Sequence, residues 1–261
     1  MTPRTTASFS RSASGSESLA EFTLVSANLH WGYGYGRTYR RAYDVVDALL
    51  AFDADVLVLP ESFRPDSGPG MLDALATAGY QVETVPIMRH ELWHSSTAGR
   101  GWRPSPGIWC LAIASRLPVL ERRELAMGKV FRDSAGPRSA LQVDLDVGGR
   151  RVHLVGLHTS SKLWFAGPLV HLRTLRPALP TGPEPAIVAG DFNLWGPGVV
   201  TLLPGWRRTV RGRTYPAHRA HSQIDHILAN RAVECIDSDV LAPFGSDHRA
   251  VRARLVIAPV A

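Results

Sequence analysis

Acidic, amide and imidazole side chains follow several short apolar runs of the sequence, at the points where strands are expected to end. The clearest examples are Asn28, Glu61, Asp191 and the adjacent pair Asp247 and His248. A carboxylate at the end of a buried strand is poorly solvated and needs a partner, most simply a cation. Oxygen ligands are the ones that Mg²⁺ and Mn²⁺ prefer. The residue types therefore predict a site for one of these ions, built on strand ends.

The segment VAGDFN contains Asp191 and Asn193. Because side chains alternate along a strand, we expect both side chains on the same side of an extended backbone. A carboxylate and an amide would then converge on one reacting centre.

Two further segments supply a carboxylate that can act on an imidazole. Asp247 and His248 are neighbours in the segment SDH, a pair suited to metal binding and to stabilising charge on a phosphoryl oxygen. Asp225, in the β-rich segment QIDHI, is available to orient a histidine from elsewhere in the chain. A carboxylate neighbour favours the charged form of an imidazole.

The elements that must position these residues are strands mixed with helices. Apolar stripes at helical spacing predict helices within residues 39–50, 72–79 and 165–179. Apolar runs predict strands near residues 22–29, 55–59, 80–85, 108–114, 119–125, 139–147, 151–157, 186–189, 224–229, 232–239 and 250–257. Residues 89–106 are expected to be a long loop, and the strands from 108 to 157 an antiparallel meander. The pattern predicts an α/β fold, a four-layer α/β sandwich of two packed mixed β-sheets flanked by helices.

The composition is that of a folded globular protein, since 45% of the 261 residues are hydrophobic and 20% are charged. Residues 1–20 are expected to form a disordered tail, and residues 21–261 one domain. The formal net charge is +6. Almost all of the positive charge is arginine, which a GC-rich coding sequence also explains, so the charge is weak support for an anionic partner.

The cysteines and the apolar runs exclude several classes of protein. Cys110 and Cys235 are far apart and lack CxxC spacing, so neither a disulfide framework nor a thiolate zinc site is indicated. No apolar run approaches the ~18 residues of a membrane span, and residues 1–20 lack the apolar stretch of a secretory signal. We expect a cytoplasmic protein and a monomer.

Five groups of residues, taken in order, resemble the motifs of the endonuclease/exonuclease/phosphatase superfamily, whose fold is DNase I-like. SANLHWG resembles the opening Asn motif, VLVLPES the metal-binding Glu motif, and AIASRLPV the strand pair that follows. GDFN resembles the hallmark tetrapeptide, and IDHI with SDHRAV resembles the closing pair. The resemblance covers roughly residues 22–255. It implies a hydrolase that cleaves phosphoester bonds with Mg²⁺ or Mn²⁺ as cofactor.

The resemblance also implies where that cofactor lies. Glu61 would be a metal ligand, with Asn28 and Asp247 close to the ion.

The same resemblance implies catalytic roles for five residues. Asp191 would activate or orient the attacking water, Asn193 would position the phosphate, and His248 would contact the phosphoryl oxygens. Asp225 would hold the ring of His248. His158 matches a position that is histidine in the DNase I and sphingomyelinase branches, where it assists the phosphate or the leaving group.

Other interpretations of single residues stay open at this point. His158 could be a satisfied core histidine, and Asp225 a purely structural carboxylate. Arg138 could contact phosphate or be a surface charge, and Tyr215 is a candidate for substrate binding. The tryptophans and arginines of residues 89–106 could stack on bases, or the tryptophans could anchor a long loop.

The predicted activity is hydrolysis of a phosphodiester by in-line attack of an activated water. A nuclease is favoured over a small-molecule or lipid-headgroup phosphoesterase, because a basic run precedes Asp225 and no apolar hairpin suited to membrane insertion is evident. This run consists of Arg207, Arg208, Arg211 and Arg213. A third hypothesis is a binding module without activity, which would usually have lost one of the site residues.

Overall fold

The structure is a computed structural model that describes residues 20–32, 44–95, 102–163 and 165–257. Residues 1–19 of the predicted tail lie outside these ranges, as do Tyr39 and Tyr43 of the first predicted helix. Ala20 is the first residue of a strand. Among the residues described, every helix is too short or too polar to span a membrane.

The described chain contains twelve strands, four α-helices and three short 3-10 helices. The strands are β1 Ala20–Ser26, β2 Val56–Pro65, β3 Gln81–Ser95, β4 Trp102–Ser115, β5 Val119–Lys129, β6 Pro137–Val147, β7 Arg150–His158, β8 Ala186–Asp191, β9 Arg207–Arg208, β10 Asp225–Ala229, β11 Val233–Val240 and β12 Val251–Ile257. The helices are α1 Val45–Leu50, α2 Met71–Thr77, α3 Ala166–Leu175 and α4 Gly196–Leu202, and the 3-10 helices are His30–Gly32, Arg176–Ala178 and Ala217–Arg219.

The strands form two six-stranded sheets. The first sheet has the order β11-β12-β1-β2-β4-β3, and the second has the order β5-β6-β7-β8-β10-β9. Both sheets are mixed, because β1 pairs with β2 in parallel and β7 pairs with β8 in parallel, while the other neighbours are antiparallel. This is the α/β sandwich of the DNase I-like fold that the sequence predicted.

Three apolar clusters correspond to the three interfaces between four layers. The largest lies between the two sheets and includes Val58 of β2 and Leu154 of β7. A second joins α1 and α2 to the outer face of the first sheet, where Leu49 and Leu75 are fully buried. The third joins α3 and α4 to the outer face of the second sheet. Because the central strands are covered on both faces, they are continuously apolar rather than alternating.

Two sequence predictions about strands are wrong. Residues 89–95 and 102–106 are not a loop, because they pair as the outer part of a long β3–β4 hairpin. The strands from 108 to 157 are not one meander, because β4 lies in the first sheet, whereas β5, β6 and β7 lie in the second. Both errors concern which strands pair, and strand pairing depends on tertiary contacts that local apolar patterns do not encode.

The approach of β7 to β8 requires glycine just before the candidate catalytic Asp191. A Cβ atom added at Gly190 would lie 2.0 Å from the carbonyl oxygen of Leu157, and the residue has a φ of +141°. Only glycine combines that conformation with so close an approach. The glycine of GDFN therefore allows β8 to approach β7 closely, so that Asp191 lies beside the end of β7.

Candidate active site

Three candidate residues lie directly opposite one another on adjacent strands of the second sheet. In the parallel pair, His158 at the end of β7 is in register with Asp191 at the end of β8. In the antiparallel pair, Asp225 at the start of β10 is also in register with Asp191. All three side chains are buried. The sheet thus fixes a row of one imidazole and two carboxylates.

The first sheet contributes Asn28 and Glu61 to the same end of the sandwich. The two segments are held together because the Leu29 amide donates to the Pro60 carbonyl over 2.9 Å. The sequence predicted that Glu61 follows the end of its strand. It lies instead inside β2, at a β-bulge between Leu59 and Ser62. Its φ of 55° is uncommon for a residue with a side chain. Such bulges and strained residues often re-aim a side chain at a functional site.

Asp191 connects the two sheets. Its Oδ2 accepts a hydrogen bond of 3.0 Å from the Asn28 amide nitrogen, and its Oδ1 accepts one of 2.8 Å from the Asn193 backbone. The Asn28 Oδ1 atom accepts from the backbone of His30. In this orientation Asn28 directs its amide nitrogen at a carboxylate, so its contribution is to hold Asp191 in position.

Asn193 reaches the site by a different route from the one predicted. β8 ends at Asp191, and Asn193 has a left-handed φ of 46°, so the two side chains do not share one side of an extended strand. The backbone turns instead, and the Asn193 side chain donates to the Thr159 carbonyl over 3.1 Å. Asn tolerates this conformation better than most residues because its short polar side chain bonds locally.

Asp225 and His248 form a buried ion pair. Nδ1 of His248 lies 2.9 Å from Oδ2 of Asp225, and Nε2 lies 3.9 Å from Oδ2 of Asp191. Burial by itself lowers the pKa of His248, but the charge and hydrogen bond of Asp225 outweigh it and raise the pKa to about 10. The ring of Tyr215 packs against His248 with centroids 4.8 Å apart. A positively charged imidazole is therefore fixed beside Asp191.

Glu61 and Asp247 bring further negative charge to the site. Burial raises the pKa of Glu61 to about 8, and the charges of Asp247 and Asp191 add to that rise. Burial and the charge of Asp225 raise the pKa of Asp191 to about 7. Carboxylates that resist ionisation in this way are short of positive charge.

This charge deficit fits a divalent cation. Glu61 and Asp247 offer oxygen ligands, and their side chains are 17% and 14% exposed, which leaves a path for an ion. Among the described residues, the three possible ligands whose atoms all lie within 4.8 Å of one another are different ones: Asp191, Asp225 and His248. Glu61 and Asp247 are the other candidate ligands, because the contact of His248 with Asp225 already accounts for that group.

His158 is buried but not satisfied, which contradicts its interpretation as a satisfied core histidine. Its Nε2 lies 3.7 Å from Glu61 and 3.6 Å from Asp191, and its Nδ1 has no hydrogen-bond partner among the described residues. Burial and the positive charges of Arg138 and His248 lower its pKa well below the usual value. A neutral imidazole thus faces the two carboxylates.

Arg138 is not the surface charge that one interpretation allowed. Its side chain is 5% exposed and forms a 3.0 Å ion pair with Asp133. The same guanidinium donates to the carbonyls of His158 and Thr159 and lies over the ring of Trp109, 5.2 Å from its centroid. Arg138 therefore supports the backbone behind the site.

Two residues that the sequence analysis did not single out hold the site together. The Ser246 hydroxyl donates to the Asn28 carbonyl over 2.7 Å and accepts from the His248 amide. Thr159 donates its amide to the Asp191 carbonyl over 3.0 Å. Ser246 precedes Asp247 in the sequence, and Thr159 follows His158. This adjacency to predicted site residues was the only signal in the sequence that pointed to them.

Two arginines of the basic run before Asp225 donate to acceptors within the protein. Arg207 donates to the carbonyls of Asn230 and Val233, and Arg208 bonds to Gln223. Arg207 and Arg208 line a cavity of about 560 Å³ between β9 and β11, and none of the candidate site residues lines it.

A family model decides the identity of the chain. The model described as the Endonuclease/Exonuclease/phosphatase family matches residues 25–248, a range that holds every candidate site residue. The chain belongs to this family. A search of curated proteins finds no match to the sequence. The family is one of phosphoesterases that are generally dependent on divalent metals, which agrees with the oxygen ligands at the site.

Solved structures of family members share the fold. An endonuclease/exonuclease/phosphatase from Beutenbergia cavernae has a TM-score of 0.70 at 22% identity, over 93% of this chain and 73% of that one. A mannosyl-6-phosphatase from Bacteroides thetaiotaomicron has a TM-score of 0.64 at 16% identity, over 90% of this chain and 100% of that one. Sphingomyelinase C from Streptomyces griseocarneus has a TM-score of 0.58 at 17% identity, over 90% and 99%. The phosphatase and the sphingomyelinase act on different substrates, so the shared fold does not identify the substrate of this chain.

Proposed function

We propose that this family member is a phosphodiesterase dependent on Mg²⁺ or Mn²⁺ that cleaves by in-line attack of water, and that its substrate is a nucleic acid. The observation that supports the chemistry best is the convergence of Asp191 with the Asp225–His248 ion pair at one end of the two sheets. A base and a fixed positive charge lie side by side there. That pairing is what hydrolysis of a phosphodiester requires.

Asp191 acts on the attacking water. The raised pKa of Asp191, about 7, makes it an effective base near neutral pH. It takes a proton as the water oxygen bonds to phosphorus, and the bond to the leaving oxygen breaks on the opposite side. The leaving oxygen becomes an alcohol by taking a proton from solvent. The hydrogen bonds from Asn28 and Asn193 hold the carboxylate for this step.

His248 and His158 act on the phosphoryl group. The charged ring of His248 neutralises charge that develops on the phosphoryl oxygens, and Asp225 prevents the ring from rotating. His158, neutral and adjacent to both Glu61 and Asp191, donates a hydrogen bond to the phosphate or the leaving oxygen. The phosphoryl group is thus contacted by one positively charged imidazole and one neutral imidazole.

Glu61 and Asp247 would hold the cation, with Asn28 close to it. When bound, the ion would polarise the phosphoryl group and supply positive charge that the carboxylates lack. The protein's own contribution is the bulge in β2, which directs Glu61 towards the site.

A substrate panel tests the proposal. With Mg²⁺, we expect cleavage of single-stranded or double-stranded DNA or RNA, with steep dependence on salt because each neutralised phosphate releases counterions. The same panel includes sphingomyelin, inositol phosphates and hexose phosphates. Turnover of one of these without any cleavage of nucleic acid would show a small-molecule or lipid-headgroup phosphoesterase instead. Full activity in excess EDTA would contradict the role of the metal.

A further inference from the structure

A cavity of about 420 Å³ opens directly beside the candidate active site. Asn193 and Tyr215, both candidate site residues, form part of its lining. The rest comes from the segments that follow β7 and β8 and from the segment that precedes β10. A substrate with its phosphate at Asp191 would therefore extend into this cavity.

One wall of the cavity is aromatic and exposed. Phe165 and Trp195 are 51% and 56% exposed, and their rings meet edge to face with centroids 5.5 Å apart at 88°. Leu163 beside them is 47% exposed. Exposed apolar groups gathered at a pocket indicate a ligand, whereas single ones scattered over a surface do not. The wall therefore offers ring faces to a flat apolar surface.

The other wall is polar and carries no negative charge. Lys162, Asn193, His221 and Ser222 line it, and no carboxylate of the described residues does. A quaternary ammonium headgroup would be attracted by the two rings, but Lys162 would repel it and no carboxylate of the described lining would offset that charge. A hydrocarbon tail would bury these polar groups without hydrogen bonds, which is costly. The lining fits a group with apolar faces, polar edges and a neighbouring negative charge.

We propose that this cavity is a nucleobase subsite that holds the base next to the scissile phosphate. The inference rests on the proposed function and adds to it a binding site for one base of the nucleic acid. The base stacks on Trp195 or Phe165, its edge reaches the polar wall, and Lys162 contacts the adjoining phosphate. A net charge of +6 favours such a chain of phosphates over a single sugar phosphate.

Binding tests the subsite apart from catalysis. In an Asp191→Asn background we would measure fluorescence anisotropy with a labelled oligodeoxynucleotide and with an equally long chain of base-free tetrahydrofuran phosphates. We expect tighter binding of the chain that has bases. Trp195→Ala should weaken its binding about tenfold, as loss of one stacked base does, and should leave binding of the base-free chain unchanged. Phe131→Ala is the matched control, because Phe131 is 70% exposed and does not line the cavity.

A cleavage assay provides the second test. In the otherwise unaltered protein, Trp195→Ala and Phe165→Ala should raise KM for the oligonucleotide about tenfold, whereas Phe131→Ala should not. The proposed subsite would be wrong if the protein bound the two chains with equal affinity. It would also be wrong if Trp195→Ala weakened the binding of both chains equally. Turnover of a hexose phosphate that depends on Trp195, with oligonucleotides insensitive to it, would assign the cavity to a sugar. If no phosphodiester is cleaved at all, the proposed function fails while the binding result still decides the subsite.

Discussion

Nδ1 of His248 lies 2.9 Å from the Asp225 carboxylate, although the two residues are 23 positions apart in sequence. Asp225 is held in register with Asp191 by the β8–β10 ladder. The carboxylate therefore does two things at once, because it raises the pKa of His248 and also adds to the rise in the pKa of Asp191. The pKa of the charged imidazole and the pKa of the base are therefore both raised by one shared neighbour.

Asp225→Asn should move the alkaline limit of activity to lower pH. With Asp225 present, the pKa of His248 is about 10, so the ring stays charged throughout the neutral range. Asp225 makes the largest contribution that raises this pKa, so the pKa of His248 falls in the variant and activity is lost at a lower pH. The pH dependence of kcat measures this, with Asp53→Asn as control because the Asp53 side chain is 90% exposed. If the pH profile of the variant kept the shape of the parent profile and only its maximum fell, Asp225 would have a structural role alone.

The same pair links stability to pH. The folded pKa of His248, about 10, lies above its ordinary value of 6.5. Its contribution to stability is therefore complete below pH 6.5 and is lost as the pH rises through about 10. We expect urea unfolding to show this alkaline loss in the parent protein and a smaller one in Asp225→Asn.

Asp191→Asn should lower kcat by orders of magnitude while Mg²⁺ still binds. The amide keeps the shape of the side chain and can accept from Asn193, but it cannot take a proton from water. Turnover and calorimetric titration with Mg²⁺ separate the two effects. Activity equal to that of the parent would exclude Asp191 as the base.

Glu61→Gln should abolish stabilisation by Mg²⁺. The pKa of Glu61 is about 8 without the ion, so Mg²⁺ must displace a proton at neutral pH and should bind more tightly as the pH rises towards 8. In the parent, Mg²⁺ at about 100 times its Kd should add about 2.7 kcal/mol to the free energy of unfolding. Tm measured at pH 6 and pH 8, with Mg²⁺ or EDTA, checks both points. An unchanged Mg²⁺ effect in Glu61→Gln would place the ion elsewhere.

Arg138→Met should destabilise the fold by about 3–5 kcal/mol, because it leaves the Asp133 carboxylate buried without its ion pair. Arg123→Met is the matched control. Arg123 also pairs with a carboxylate, that of Glu121, but both side chains are more than 40% exposed and no measurable change is expected. Urea unfolding compares the two variants. Similar small effects would mean that Asp133 finds other partners.

The sequence by itself determined the fold class and supplied the candidate site residues. Chemically distinctive residues such as Glu61, Asp191 and His248 follow apolar strand runs in a fixed order, and that order identified the family before any contact was known. Strand and helix periodicity then sufficed to predict two sheets with helices outside, because burial of one apolar face requires another layer. Local patterns carry that information without reference to partners.

Only the tertiary structure decided how these residues act on one another. The register that places His158, Asp191 and Asp225 side by side depends on strands distant in sequence, as does the burial of Arg138 behind the site. The raised pKa of His248 and the lowered pKa of His158 follow from neighbours on other strands. Burial and electrostatic interactions depend on distance in space, which the order of residues along the chain does not specify.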